Sequence, residues 1–260
     1  MPSHFSSIGL TVDTESDFET LINRLAPLAT SVKGSGKPYW YWSSPCGAEL
    51  WLQSNSENQV IGATPAFRGQ SSIRVKLTAR ILRDESGLDG GMHGWAAPDD
   101  SDGEGAYPFV FDVPDFGNTE KISLPSIVDL QISAFAHELQ VFDSQEEFDA
   151  SQTEGLRFAA ESLIPIGLFM ADSDSQQPPP ALVVFTGQVT ASEKKINSFS
   201  GAPYHWAVVK TLGGSFDVVI DPELCHAVPQ PGNIVSGEFW LCGRVPVPAT
   251  RGFFQRLFRR

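Results

Sequence analysis

The sequence predicts a β-rich α+β protein in two parts, an N-terminal mixed α+β domain over residues 1–172 and a small OB-like β-barrel over 181–247. Three observations predict it. Short apolar runs with period-two alternation recur along the chain and are cut by Gly, Pro, Asn and Ser clusters. The stretch 172–180 is polar and then ends in three consecutive prolines, the composition of a stiff linker. Beyond it, alternating runs at 182–190, 205–212, 215–220 and 234–245 are joined by Ser200-Gly201 and Gly213-Gly214, the density of strands expected of a small closed barrel.

Taken in order, residues 5–12 read as a strand. Asp13 or Thr14 then caps a helix in which Phe18, Leu21, Ile22 and Leu25 follow i, i+3, i+4, i+7 spacing, so one face is apolar. Pro27 and Gly34-Ser35-Gly36 end it. Strands follow at 39–42, 48–53 and 59–64, and Ile73, Val75, Leu77, Ala79 and Ile81 alternate with polar partners as in a strand with one wet face. Residues 83–105 turn to Gly, Asp and Ser and read as a long irregular insertion around His93 and Trp95. Strands resume at 107–113, 126–136 and 137–142, a short acidic helix spans 144–151, and the apolar run 156–169 closes the first domain. The segment 173–180 is the linker and 248–260 a basic amphipathic tail.

The chain has 260 residues and a formal net charge of −13. An acidic body repels phosphate backbones and anionic lipid surfaces, which argues against nucleic acid as a partner. Cys46, Cys225 and Cys242 are far apart and form no C-x-x-C pair, so neither a disulfide framework nor a thiolate zinc site is indicated. No apolar run reaches the ~20 residues of a membrane span, and no basic-then-apolar leader opens the sequence. The expectation is a cytoplasmic protein.

Tyr39, Trp40, Tyr41, Trp42 and Trp51 form the densest aromatic cluster, and alternation sends some to each sheet face. One face serves as core and the other needs cover. With Trp95 in the insertion, Tyr39, Tyr41 and Trp51 are the expected binding residues of the first domain. The tail 251–260 carries Arg251, Arg256, Arg259 and Arg260 against the trend of the rest. As a helix it would gather Phe253, Phe254, Leu257 and Phe258 on one face, a docking peptide for a partner or for the acidic body itself.

Metal chemistry has two candidate ligand sets. His4, Glu49 and His93 carry imidazole and carboxylate groups of the kind that hold zinc, iron or manganese, and Asp100, Asp102 and Glu104 alternate before Gly105 as calcium loops do. Neither spacing completes a known motif, so a divalent metal ion is the one cofactor the residues suggest. No G-x-S-x-G elbow, phosphate-binding glycine loop or dinucleotide fingerprint is present. In the expected barrel, Tyr204, His205, Trp206, Phe239 and Trp240 could stack on single-stranded bases, but Lys194, Lys195, Lys210 and Arg244 are few for a counterion-releasing groove.

Ile8-Gly9-Leu10-Thr11-Val12 followed by a helix, then Gly47-Ala48-Glu49-Leu50-Trp51-Leu52 on a later strand, resembles one βαβββ module of the vicinal oxygen chelate (glyoxalase-like) superfamily. The resemblance implies half of a divalent-metal site. Glu49 matches its glutamate, while Ser7 stands where the histidine of the first strand belongs and His4 lies three residues earlier. The opening Ser3-His4-Phe5-Ser6-Ser7-Ile8-Gly9 is also similar to that of a group of bacterial proteins, which implies an origin and no activity. The leading functional expectation is a non-enzymatic binding protein, a protein-interaction or immunity-type module. The alternatives are a metal-dependent enzyme or small-molecule binder of the vicinal oxygen chelate type, and single-strand nucleic-acid binding through the barrel.

Overall fold

The computed structural model describes residues 3–32, 38–99, 104–153, 157–166 and 178–246. The chain opens not on a strand but on a 3-10 turn, Ser6–Ile8, ended by Gly9 at φ 73°. The expected strand over 5–12 fails there because a local hydroxyl network bends the backbone. Ser3 and Ser6 exchange side-chain and amide hydrogen bonds, and the Ser7 hydroxyl donates to the Ser3 carbonyl. Gly9 also has no room for a side chain, since a Cβ would lie 2.9 Å from both the Ala202 carbonyl oxygen and Asn197 Cβ. Helix α1 (Glu15–Leu25) starts where expected. The Thr14 hydroxyl accepts from the Asp17 amide, and the Asp17 carboxylate accepts from the Thr14 amide.

Four strands, β1 (Thr30–Ser31), β2 (Tyr39–Ser43), β3 (Ala48–Ser54) and β4 (Val60–Phe67), form an antiparallel meander in that order, with β4 at one edge. Every residue of β3 is buried, because both faces of this sheet are covered. Leu50 and Leu52 share a core with Leu21 and Leu25 of α1, whereas Glu49, Trp51 and Gln53 alternate to the other face, where the Arg244 guanidinium lies 4.7 Å from the Trp51 ring.

A second sheet has ten strands: β5 (Ile73–Leu82), β6 (Gly90–Ala96), β7 (Tyr107–Asp112), β8 (Ser126–Leu130), β9 (Ile132–Phe142), β10 (Ser162–Pro165), β11 (Leu182–Ile196), β12 (Pro203–Thr211), β13 (Gly214–Ile220) and β14 (Ile234–Gly243). Their order is β10-β11-β12-β13-β9-β14-β7-β6-β5-β8. An extra β11–β14 pairing closes β11, β12, β13, β9 and β14 into a five-stranded barrel. All its pairings are antiparallel except β13–β9. Helix α2 (Gln145–Ser151), capped by the Ser144 hydroxyl, follows β9.

Two expectations change here. Within the 83–105 segment, residues Gly90–Ala96 are a central strand paired to both β5 and β7. Strand pairing also runs across the expected 173–180 boundary: four barrel strands come from the 181–247 segment, and β9, from 132–142, is the fifth. Residues 173–177 lie outside the described residues, and the Pro178 carbonyl accepts a hydrogen bond from Arg83.

The barrel interior is apolar. Phe185 stacks on Phe239 at 3.9 Å and on Phe216 at 5.5 Å, with Val183, Val209 and Val235 around them. One buried charge faces outward between the sheets: Asp217, fully inaccessible, accepts from the amides of Gln70 and Ser71, the Ser71 hydroxyl, the Gln131 amide and the Trp206 indole. Five donors compensate its lost hydration and tie the β4–β5 connection to the barrel wall. No helix of the described residues is long and apolar enough to cross a membrane.

Candidate functional site

An open concavity with apolar side chains in its walls lies between α1 and the edge strand β4. Phe18 and Ile22, one turn apart, form its helical wall, and Val60, Ile61 and Gly62 form its strand wall; the space is ≈390 Å³. Local sequence dictates both walls. The capping box fixes where α1 begins and therefore which way Phe18 points, and Phe18 is braced edge-on by Phe5 at 5.9 Å. On the strand side, Asn55 accepts from the Glu57 and Gln59 amides, and Asn58 at φ 61° completes the turn into β4. Register then slips by one residue: Ser54 pairs with Val60 and Gln53 with Gly62, leaving Ile61 as a bulge that is 56% exposed. Gly62 cannot carry a side chain without displacing Gln53, whose Oε1 would lie 2.6 Å from a Cβ. Glu19 puts a carboxylate on the rim.

The aromatic residues expected to bind divide between core and surface. Tyr39 is buried, its hydroxyl donating to the Leu88 carbonyl and accepting from the Gly117 amide. Burial, with Asp115, Asp84 and Asp89 nearby, raises its phenol beyond the ordinary range despite the Gly117 bond. Trp51 is also buried. It stacks on Tyr41 at 5.0 Å, lies under the Arg244 guanidinium at 4.7 Å and donates to Glu49. Tyr39 and Trp51 are packed as cover between the two sheets, and Tyr41 is half-buried beside them. Trp95 is different: it sits half-buried on the outer face of β6, in a cross-strand row with Lys76, Pro108 and the 40%-exposed Ile127. Phe253, Phe254, Leu257 and Phe258 lie outside the described residues.

Each expected metal ligand that the structure describes has other company. Glu49, buried, accepts from the Trp51 indole and the Ser43 hydroxyl and lies 4.0 Å from Arg244. His93 shares a 2.6 Å hydrogen bond with Thr78. His4 stacks on Trp240 at 4.1 Å and meets His137 Nε2 to Nε2 at 2.7 Å, and His137 in turn faces Glu238 at 3.3 Å. Burial, and then the neighbouring His137, lowers His4 to about 4, so its imidazole is neutral near neutral pH. Asp100 and Asp102 lie outside the described residues, and Glu104 is exposed. Among the described residues, no three His, Cys, Asp or Glu side chains converge as a metal site.

Tyr204, Trp206, Phe239 and Trp240 are all buried, and Trp240 has His4 on its face, so these rings offer no stacking platform. A smaller cleft of ≈160 Å³ adjoins Cys46, with Arg68, Lys195 and Trp206 in its wall. There the Cys46 thiol contacts the Ser44 hydroxyl at 2.9 Å, which contacts Ser198 at 2.7 Å. Burial works to raise that thiol, but the hydroxyls of Ser44 and Tyr204 and the amides of Ala48 and Ser198 bring it below its ordinary value.

No protein-family model, curated protein or solved structure matches this chain. The functional reading therefore rests on its own geometry. The groove escaped sequence reasoning because its walls are some forty positions apart, and the one local signal was Ile61, an apolar residue beside a turn. The helical apolar face of α1 was legible, but not that Phe18 and Ile22 would be left partly uncovered by the sheet.

Proposed function

We propose that this protein is a non-enzymatic binding module that takes an apolar segment of a partner protein into the groove between α1 and β4. The observation that carries this reading is the partly uncovered wall of Phe18, Ile22 and Val60 beside the exposed Ile61 on a sheet edge. A volume of ≈390 Å³ gives the open groove room for a few apolar side chains. A helix beside a strand edge also supplies the two elements that peptide-binding domains combine, an apolar groove and unpaired backbone. The bulge at Ile61 limits any strand pairing to the following residues, so affinity comes from side chains entering the groove.

The test is selection of a random peptide display library on the folded protein, with Ile61→Asp as counter-target. Exposed Ile61 contributes little to the core, so the variant should keep the parent stability to within about 0.5 kcal/mol. Enrichment of aromatic or aliphatic peptides that bind the parent at least tenfold tighter than the variant is the expected outcome. Peptides that bind both equally, or no enrichment at all, would reject the reading.

A further inference from the structure

We infer that the groove between α1 and β4 is occupied by the chain's own basic aromatic segment, residues 251–260, which thereby competes with an external partner. This rests on the binding reading above. The segment provides what the groove lacks. Phe253, Phe254, Leu257 and Phe258 are large apolar side chains for the wall of Phe18, Ile22 and Ile61, and four arginines without an acidic residue match the carboxylate of Glu19 on the rim. The remainder of the chain carries all 31 acidic residues, so attraction toward the body is general and the apolar groove selects the place.

The exit point of the chain favours this occupant over a remote one. After β14 the Arg244 guanidinium lies over Trp51 of β3, and Trp51 pairs with Thr64 of β4, three residues from Ile61. Adjacent strands are ~5 Å apart and three strand residues span ~10 Å, so Ile61 is on the order of 15 Å from Trp51, to which the span of the Arg244 and Trp51 side chains adds ~10 Å. Phe253 follows Arg244 by nine positions, a reach of up to ~30 Å when extended. Because β4 is the sheet's free edge, a chain leaving on the Trp51 face rounds one strand to enter the groove on the α1 face. An intramolecular ligand on so short a tether has an effective concentration in the millimolar range, so even weak docking is populated.

The test places a photo-reactive benzoylphenylalanine at position 61 in the full chain and maps cross-linked peptides by mass spectrometry at low micromolar concentration. Cross-links to peptides from 251–260 within a single chain are expected. They should be lost in the quadruple variant Phe253→Asp, Phe254→Asp, Leu257→Asp and Phe258→Asp. Absence of such cross-links in the parent, or their appearance only between two chains, would overturn the inference. A display-selected peptide from the preceding experiment provides the second readout, with at least tenfold tighter binding to the quadruple variant than to the parent. Equal affinity for both would reject self-docking while leaving the binding reading intact. An intramolecular cross-link with no selectable external peptide would support self-docking and reject the partner reading.

Discussion

Asp217 shows how much one residue can organise. Its two oxygens take five donors from three separate segments, and Gly69 must be glycine because a Cβ there would lie 1.9 Å from the Asp217 carboxyl carbon. Asp217→Ala would leave the Trp206 indole and the Gln70 and Ser71 amides without their acceptor. The expected loss is about 3–5 kcal/mol, read as the shift in urea-unfolding free energy. His4 supplies a second prediction at this scale. Its folded pKa of about 4 lies below the unfolded value of about 6.5, so the unfolded chain binds the extra proton first. Its neutral form therefore contributes stability that is present above pH 6.5 and lost as the pH falls toward 4, on the order of 2 kcal/mol. Carboxylates also titrate over part of that window, so the quantity to measure is the difference in urea midpoint between pH 7.5 and pH 4.5 for the parent and for His4→Gln. The variant should show the smaller drop, and equal drops would place the titrating group elsewhere. None of these contacts could be read from sequence, because Asp217, Gln131 and Ser71, like His4 and His137, are joined only by the fold.

Among the elements, those legible in sequence carried their own punctuation. Asp13 or Thr14 marked the start of α1, which the structure narrows to Thr14, the acidic run from Ser144 marked α2, and the alternation of Ile73, Val75 and Leu77 marked β5. Strand β6 was hidden by its glycines. Gly91 and Gly94 read as loop residues, yet a Cβ at Gly94 would be 2.6 Å from Val75 Cγ1 and one at Gly91 2.6 Å from the Phe111 carbonyl oxygen. They are where neighbouring strands come too close for a side chain. Gly94→Ala should accordingly destabilise the protein by about 1–3 kcal/mol through overpacking, measurable by thermal unfolding. A neutral or stabilising effect would mean that β5 and β6 give way at little cost. Residues 5–12 misled in the opposite direction, since alternating apolar residues suggested a strand while the Ser3–Ser7 hydroxyls and left-handed Gly9 made a turn.

At the level of the whole molecule, the prolines near 178–180 suggested a division that backbone pairing does not follow. The strand count of the C-terminal part was legible because each strand is local. The origin of the closing strand was not, since β9 has no local mark of its partners. The parallel β13–β9 pairing and the long β14–β9 ladder make the barrel depend on residues far upstream. A polypeptide comprising only residues 178–260 should therefore remain unfolded, lacking the strand between β13 and β14. Adding a separate peptide of residues 126–144 should restore strand content by circular dichroism. A cooperative unfolding transition of the isolated fragment would contradict this dependence.

The same arrangement bears on how the protein is made. Strand β9 leaves the ribosome about a hundred residues before β14, and at about 5–20 residues per second that is an interval of roughly 5–20 s. Until β13 emerges late in that interval, Ile132, Ala134 and Ala136, which end in the barrel core, have neither of their neighbouring strands, and until β14 follows they have only one. Barrel closure thus waits for β14, and until then the nascent chain presents an unpaired edge of β9 to chaperones or to other nascent chains.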